Sequence, residues 1–279
     1  MTLGRESVSW GTDIWGQLDQ AVHAEVQRSA VATSCVPLTP AGPTTTTAPA
    51  DVINLTAMTI DPSAVLPIVE LSLGFSLTQQ QVDDEADVHT ALTLATRAAN
   101  FVAQVEDLLI FQGDGVARPG QLGLVQQLGA AGAGLLAAAT QTIPVSPTAP
   151  GRYGEHTFDA VVQAIGLLRN QGEAGPYALA LNSAVYADTF VPVAGTLVMA
   201  ADQIRPLVTA GFIDAGALPP GAGLVLSLGG NTMDVIMSVE PTTAFVQVDN
   251  QGLSQFRVFE RWALRVKDPN AMVQLAFEP

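Results

Sequence analysis

Residues 66–115 read LPIVELSLGFSLTQQQVDDEADVHTALTLATRAANFVAQVEDLLIFQGDG, and their reading decides the fold class. The opening LPIVELSLGFSL (66–77) alternates in part and carries Val, Ile and Phe, the signature of a strand, and the whole stretch from Val52 to Leu77 reads as β-rich. A helical pattern then runs over about Gln81–Phe111. Leu94, Ala98, Phe101, Val105 and Leu108 form its apolar stripe, while Asp83, Asp84 and Glu85 suit the positive end of a helix dipole. Thirty residues of helix would span about 45 Å, long for a globular domain. Gly113 to Gly115 close it.

Upstream, Thr12 to Ala32 is helical. Ile14, Leu18, Ala21, Val22 and Val26 recur at helical spacing, Thr12 or Asp13 caps the start, and Asp19, Glu25 and Arg28 leave the other face polar. The Pro/Thr-rich stretch Pro37–Pro49 ends the helix and reads as an extended arm or loop. Downstream, Phe158–Arg169 is a helix stopped by Gly172, Tyr177–Leu181 is a strand, and Ser183–Phe190 and Met199–Ala210 are short helices. Leu224–Leu228, Asp234–Val239 and Ala244–Val248 read as strands, and Phe256–Lys267 and Met272–Phe277 complete a β-rich C-terminus. Helices and strands do not alternate strictly, so the class is α+β.

Composition removes several functions. The 279 residues are 48% hydrophobic and 13% charged, which describes a folded chain able to bury a sizeable core. Twenty-six acidic against 11 basic residues give a net charge of -15, which argues against nucleic-acid binding and against docking on an anionic membrane. Cys35 is the single cysteine, so no intrachain disulfide and no cysteine-based zinc site can form. The N-terminus carries no secretory pattern. The uncharged stretches Ser29–Ala50 and Gly120–Gly151 are interrupted by Pro or Gln, and neither reads as a membrane helix. The expectation is a soluble cytoplasmic protein.

No catalytic, cofactor or metal constellation is legible. His23, His89 and His156 lie at no metal-ligand spacing. Glu85 and His89, four apart, read as half a metal site or, more simply, as a surface ion pair or satisfied polar contact. Cys35 lacks an activating neighbour and reads as a buried inert thiol. The acidic run Asp83-Asp84-Glu85, with Asp87 close behind, reads as a cation lure or as a capped, solvated helix start. GAAGAG (129–134) lacks the Lys-Ser/Thr of a phosphate loop and reads as a flexible small-residue loop. Trp10, Trp15 and Trp262 serve as core or interface anchors.

Five segments, in order, resemble the encapsulins, bacterial and archaeal shell proteins with the tailed-phage (Hong Kong 97-type) capsid fold. LPIVELSLGFSL (66–77) is similar to the strand leading out of that family's extended loop, and VEDLLIFQGD (105–114) to the end of its spine helix. GPYALALNSAVYADTF (175–190) is similar to the start of its apical domain. LVLSLGGNTMDVIMSVEPTTAFV (224–246) and FRVFERWALRVKDPNAMVQL (256–275) are similar to its closing strands.

The resemblance implies an α+β capsid fold with a long spine helix, an extended arm and an apical domain. Residues 1–50 would form the N-terminal helix and arm, part of the peripheral domain, 51–75 the extended loop, 76–140 the peripheral domain with the spine, 141–230 the apical domain and 231–279 the closing strands of the peripheral domain. It implies a structural, non-enzymatic protein that self-assembles into an icosahedral nanocompartment of about 60 subunits or a multiple. Such a shell encloses a cargo enzyme, such as a ferritin-like protein or dye-decolourising peroxidase held by a docking tail. A phage or prophage major capsid protein is the alternative reading, and a soluble hydrolase a weaker one.

The chain also departs from the family. Relatives carry a basic pair before the Gly-Pro matched by Gly42-Pro43. Here Ser34-Cys35-Val36-Pro37 has none, so the usual cargo-docking mode is not expected. Ile14, Leu18 and Val22 are expected near a cargo groove, with plain helix packing as the competing reading. Gln79-Gln80-Gln81 stands where some relatives hold flavin beside a tryptophan, so no flavin and no other cofactor is expected. Lys267 is the only lysine, so the arm cannot form an isopeptide crosslink of the phage type. The loop Pro192, Val193, Ala194, Gly195, Thr196, Leu197, Val198 matches the loop lining the five-fold pore. Having no charged side chain, it predicts a pore of backbone and small neutral groups with weak charge selectivity, or else an ordinary surface loop.

Overall fold

In the computed structural model, which describes residues 3–61, 64–193 and 195–279, two five-stranded sheets each carry a helical layer. The helices are α1 (Thr12–Ser29), α2 (Gln79–Asp83), α3 (Glu85–Val88), α4 (Thr90–Gln112), α5 (Gly134–Ala138), α6 (Glu155–Asn170), α7 (Ser183–Asp188) and α8 (Ala200–Ile204). The first strands are β1 (Leu38–Pro40), β2 (Thr47–Pro49), β3 (Ile53–Asn54), β4 (Thr59–Ile60), β5 (Val65–Pro67), β6 (Val69–Leu77) and β7 (Gln126–Leu128). They are followed by β8 (Gln141–Val145), β9 (Tyr177–Leu181), β10 (Gly211–Asp214), β11 (Ala222–Ser227), β12 (Met233–Val248), β13 (Ser254–Val266) and β14 (Met272–Phe277).

The first sheet runs β1-β12-β13-β6-β7 and is built on the long antiparallel hairpin of β12 and β13. β12 fuses the two strands expected over 234–239 and 244–248. The apparent break at Glu240-Pro241 is a register shift between Val239 and Thr242, because proline cannot donate to the ladder. The second sheet runs β10-β9-β11-β14-β8. Residues 231–279 therefore do not form one unit: β12 and β13 belong to the first sheet, and β14 crosses into the second between β11 and β8. Two short ribbons, β2 with β5 and β3 with β4, form the extended segment.

The long helix is shorter than its sequence pattern. The chain breaks at His89, whose φ of 57° is left-handed, and α4 keeps 23 residues. The cause is a cap. Glu85 is buried, and its carboxylate accepts from the backbone N–H groups of Ala91 (2.6 Å) and Leu92 (3.0 Å), satisfying donors that a new helix start leaves open. Glu85 is thus neither solvated nor half of a metal site.

The apolar face is also rotated from the expected stripe. Leu94 is exposed and Phe101 only partly buried, whereas Ala91, Ala95, Ala99, Val102 and Leu109 face the core beneath α1. Alanines along this face let the two helices approach closely. Glu25, expected on the polar face of α1, is buried. It accepts from Asn100 of α4 at 2.7 Å. α1 ends at Ser29 because Asp107 of α4 receives the backbone N–H groups of Val31 (2.9 Å) and Ala32 (2.7 Å), turning the chain out of the helix.

Trp10, Phe256 and Phe75 stack between α1 and the first sheet, with centroid separations of 5.0 and 5.5 Å, and the Trp10 indole donates to the Val82 carbonyl. A second core lies between α6, α8 and the second sheet.

The 129–134 loop is exposed over most of its length but close-packed at its end, where Gly134 meets Gly113. A Cβ on Gly134 (φ 73°) would stand 2.3 Å from the Gly113 nitrogen, and one on Gly113 (φ 78°) 2.4 Å from the Ala133 carbonyl carbon. Gly134→Ala should therefore destabilise the protein by ~2 kcal/mol or more, from left-handed strain and backbone collision together. Thermal denaturation measures this, and a variant with unchanged Tm would contradict the packing.

Candidate assembly surfaces and the buried acid cluster

The extended segment presents apolar side chains that its own chain leaves uncovered. Val52, Leu55, Met58, Ile60 and Val65 are all exposed, Met58 by 80%. Such a row on a short two-stranded ribbon is an uncovered apolar surface.

Its base, by contrast, is fixed. Asp234 of β12 is buried and takes Arg265 Nε and Nη2 at 2.8 and 2.7 Å, Lys267 Nζ at 3.3 Å and the Thr39 hydroxyl at 2.6 Å. Arg265 also pairs with Asp51, where the extended segment departs, and the Ile53 N–H donates to the Lys267 carbonyl at 2.9 Å. Burial opposes ionisation of Asp234. Hydrogen bonds from Arg265 and Thr39 and the charges of Lys267 and Arg265 outweigh it, holding the carboxyl below its ordinary value. The single lysine is therefore a buried structural cation.

The 192–198 loop is a tight hairpin. Pro192 pairs with Met199, and the Val193 N–H donates to the Val198 carbonyl at 2.9 Å. Thr196 donates its N–H and its hydroxyl to the Val193 carbonyl, both at 3.0 Å. Ala194 lies outside the described residues. The tip presents Leu197, 92% exposed, so the loop offers a large apolar side chain in addition to small neutral groups.

Of the residues expected near a groove, Leu18 and Val22 are fully buried in the core and Ile14 is half-buried. Their spacing reports helix packing. The surface beside α1 is instead a cavity of about 290 Å³ between α1, β1, α4 and β12, walled by Val26, Leu38, Pro40 and Met237, with Glu106 and Glu240 as its acids. Sequence reasoning passed over Glu106 and Glu240. The signal was the pair Glu106-Asp107 inside an otherwise apolar run, VEDLLIF.

Glu106 belongs to a buried acid cluster. It is fully buried and neither carboxyl oxygen has a hydrogen-bond partner. Glu260 of β13 is also fully buried. Its Oε1 accepts from the Trp262 indole at 3.1 Å and its Oε2 has no partner. Burial and the charges of Glu260 and Asp107 push the Glu106 carboxyl well above the usual range. Burial pushes Glu260 up to about 8 despite the Trp262 hydrogen bond. Burial likewise lifts Asp107 to about 7, against the pull of the Ala32 and Val31 N–H groups.

The other groups singled out in the sequence are structural. Cys35 is buried, with its thiol pushed up to about 12 by burial and the Asp107 charge. His156 Nδ1 lies 2.8 Å from the Ser146 carbonyl. Among the described residues no group of three or more His, Cys, Asp or Glu is placed to hold a metal ion, and no helix is long and apolar enough to cross a membrane.

This architecture is that of the tailed-phage capsids. The capsid of Myoviridae phage XM1 superposes with a TM-score of 0.57 at 11% identity, over 88% of this chain and 91% of that one. The virus-like particle of Pyrococcus furiosus gives a TM-score of 0.71 at 17% identity, over 94% of this chain and 98% of the other. In sequence, residues 1–263 match Linocin_M18, the family described as encapsulating protein for peroxidase, and the chain belongs to that family of encapsulin shell proteins. A relative from Myxococcus xanthus (strain DK1622), the Type 1 encapsulin shell protein EncA, is 33% identical over 185 residues, which is 66% of this chain and 58% of that protein. The chain thus aligns with less than two thirds of that relative's length.

The acid cluster sets a pH dependence. A carboxyl whose folded pKa is raised binds its proton in the folded state more readily than in the unfolded one. Its fold is therefore most favoured below the unfolded value near 4.5, and stability is lost as pH rises towards the folded value of about 8. Glu260→Gln should leave Tm nearly unchanged at about pH 4 and raise it by several degrees at about pH 9. An equal shift at both pH values, followed by differential scanning calorimetry, would contradict the assignment.

Proposed function

We propose that this chain self-assembles into a closed icosahedral shell of about 60 subunits or a multiple, enclosing a cargo enzyme in the cytoplasm. The observation that carries the reading is the extended segment, an apolar ribbon with exposed Met58 and Ile60 whose base is clamped by the Asp234–Arg265–Asp51 network. A rigid root and an uncovered tip are what an arm needs to lie against a neighbour at a fixed angle. The family description, encapsulating protein for peroxidase, supports a peroxidase as cargo, and a ferritin-like protein is the second class. The contacts are noncovalent, since residues 51–72 contain no lysine.

The 192–198 hairpin would line a pore at the five-fold vertex, where its lack of charge gives weak ionic selectivity and Leu197 adds an apolar rim. Cargo would dock beside α1, at the cavity rather than on Leu18 or Val22.

Negative-stain electron microscopy after size-exclusion chromatography tests the assembly: uniform hollow particles are expected, and a monomer stable across pH and salt would overturn the reading. The double variant Met58→Asp, Ile60→Asp should abolish particles while leaving a folded protomer with native circular dichroism. Particles surviving that change would remove the arm from the interface.

A further inference from the structure

The layer built on the second sheet carries two cations that its own chain does not neutralise. Residues 141–227 contain three arginines, Arg152, Arg169 and Arg205. Arg152 pairs with Asp188. Arg169 and Arg205 are exposed, and among the described residues neither forms an ion pair. Each lies over an aromatic ring instead: the Arg169 guanidinium stands 5.8 Å from the centre of Tyr177, and that of Arg205 5.1 Å from the centre of Phe190. Stacking engages the flat face of a guanidinium and leaves its N–H edge open to a carboxylate. In a chain with 26 acidic and 11 basic residues, a cation without a carboxylate is the exception.

Both arginines border one open cleft. It has a volume of about 850 Å³ and lies between the C-terminal half of α6, the turn at 172–177 and residues 206–209. Arg169 lines it, and Arg205 adjoins it through Pro206. Val162, Ile165 and Leu207 make its wall apolar. Glu173 is the one acid among the lining residues. It is buried, and burial and the Asp268 charge push its carboxyl above its ordinary value, which disfavours the form that would neutralise Arg169. The opposite surplus lies at the other end of α6. Glu155 and Asp159 are exposed there, and among the described residues neither has a hydrogen-bond or ion-pair partner. At 1.5 Å per residue, Asp159 lies about 15 Å and Glu155 about 21 Å along the helix axis from Arg169. The helix therefore keeps its two surpluses apart within one protomer.

We propose that this cleft receives the acidic N-terminal end of α6 from a second copy of the chain, with Arg169 and Arg205 taking its Glu155 or Asp159 carboxylate while Val162 and Leu207 are covered. The basic and acidic surfaces are different patches of the molecule, so the contact is heterologous and passes from copy to copy instead of closing a pair. The proposal rests on the shell reading, which brings many copies together, and it deepens that reading by placing a contact in the second layer, apart from the extended segment. It operates on copies that apolar contacts have already brought within the screening length of about 8 Å, and there it selects which face of a neighbour is accepted.

The test uses the full chain carrying Arg169→Lys, which keeps the charge and supplies an amine at the cleft. A water-soluble carbodiimide joins an amine to a carboxylate in contact with it, and the chain's own lysine, Lys267, is buried. Assembled particles are coupled and separated under denaturing conditions, and the covalent multimers are digested and mapped by mass spectrometry. The expected result is a ladder of dimers and higher multimers absent from the unsubstituted protein, with the new amide joining position 169 to Glu155 or Asp159 of another protomer. Adding Glu155→Gln with Asp159→Asn, both at exposed positions, should abolish the ladder. No ladder, a bond confined to one protomer, or a bond to an acid outside α6 overturns the contact. Arg169→Glu with Arg205→Glu gives a second reading: particles should be lost while circular dichroism stays native, and an unchanged yield of particles overturns the contact as well. Electron microscopy of the unsubstituted protein reads the shell separately: particles without the ladder sink this contact alone, and absence of particles sinks the shell.

Discussion

The ion pair between Asp234 and Arg265 is the constraint on which the rest of the molecule depends. It lies inside the β12–β13 hairpin, the element that carries β1 on one edge and β6 on the other. A buried pair of this kind contributes little net stability compared with an apolar replacement, because desolvation offsets the attraction. What it supplies is geometry. Asp234 also takes Thr39 and Lys267, and Arg265 also takes Asp51, so the N-terminal arm, the root of the extended segment and the hairpin meet at one charge-matched point. Replacing Asp234 leaves Arg265 and Lys267 without their shared buried carboxylate, and that asymmetry fixes where the apolar ribbon leaves the hairpin.

A second set of buried carboxylates acts through the backbone. Asp107 stops α1 by receiving two N–H groups, and Glu85 starts α4 by receiving two others. In both cases the acid lies far along the chain or beyond a break, so a helix boundary is decided by tertiary contact rather than by the residues at the boundary. Glu106 and Glu260 differ, since no comparable set of donors meets them. Within one fold, then, buried acids fall into those that place the backbone and those that retain unmet bonding capacity. Only the second kind can respond to pH or to a partner without dismantling an element.

This division explains what was legible in the sequence. β9 (Tyr177–Leu181) and β14 (Met272–Phe277) agree with their sequence reading because a short, mostly apolar run, fully buried in β9 and largely so in β14, ends where turn residues begin. The class and the order of the longer elements were legible too, since hydrophobic periodicity is a local property, whereas the short β7, β8, β10 and α5 were not read. The thirty-residue helix was not, because its break at His89 follows from a carboxylate capping another turn. The 129–134 loop read as flexible because small residues have little local preference, whereas their meaning here is how closely they admit the end of α4. Leu18 and Val22 had helical spacing, and that alone does not distinguish a core stripe from a docking face. Glu106 was hidden because burial of an acid is a fact about its neighbours.

The charge of the chain makes the same point at the scale of an assembly. In the proposed shell, protomers with a net charge of -15 each repel one another, because acidic residues outnumber basic ones 26 to 11. Salt screens this repulsion over about 8 Å, so long-range electrostatics neither recruits nor orients subunits. Association into such a shell would come from contacts closer than that, and the uncovered Val52, Leu55, Met58, Ile60 and Val65 are of the right kind. A surface that repels at distance and adheres only when an apolar ribbon is seated at its fixed angle favours closed, correctly registered contacts over open aggregation.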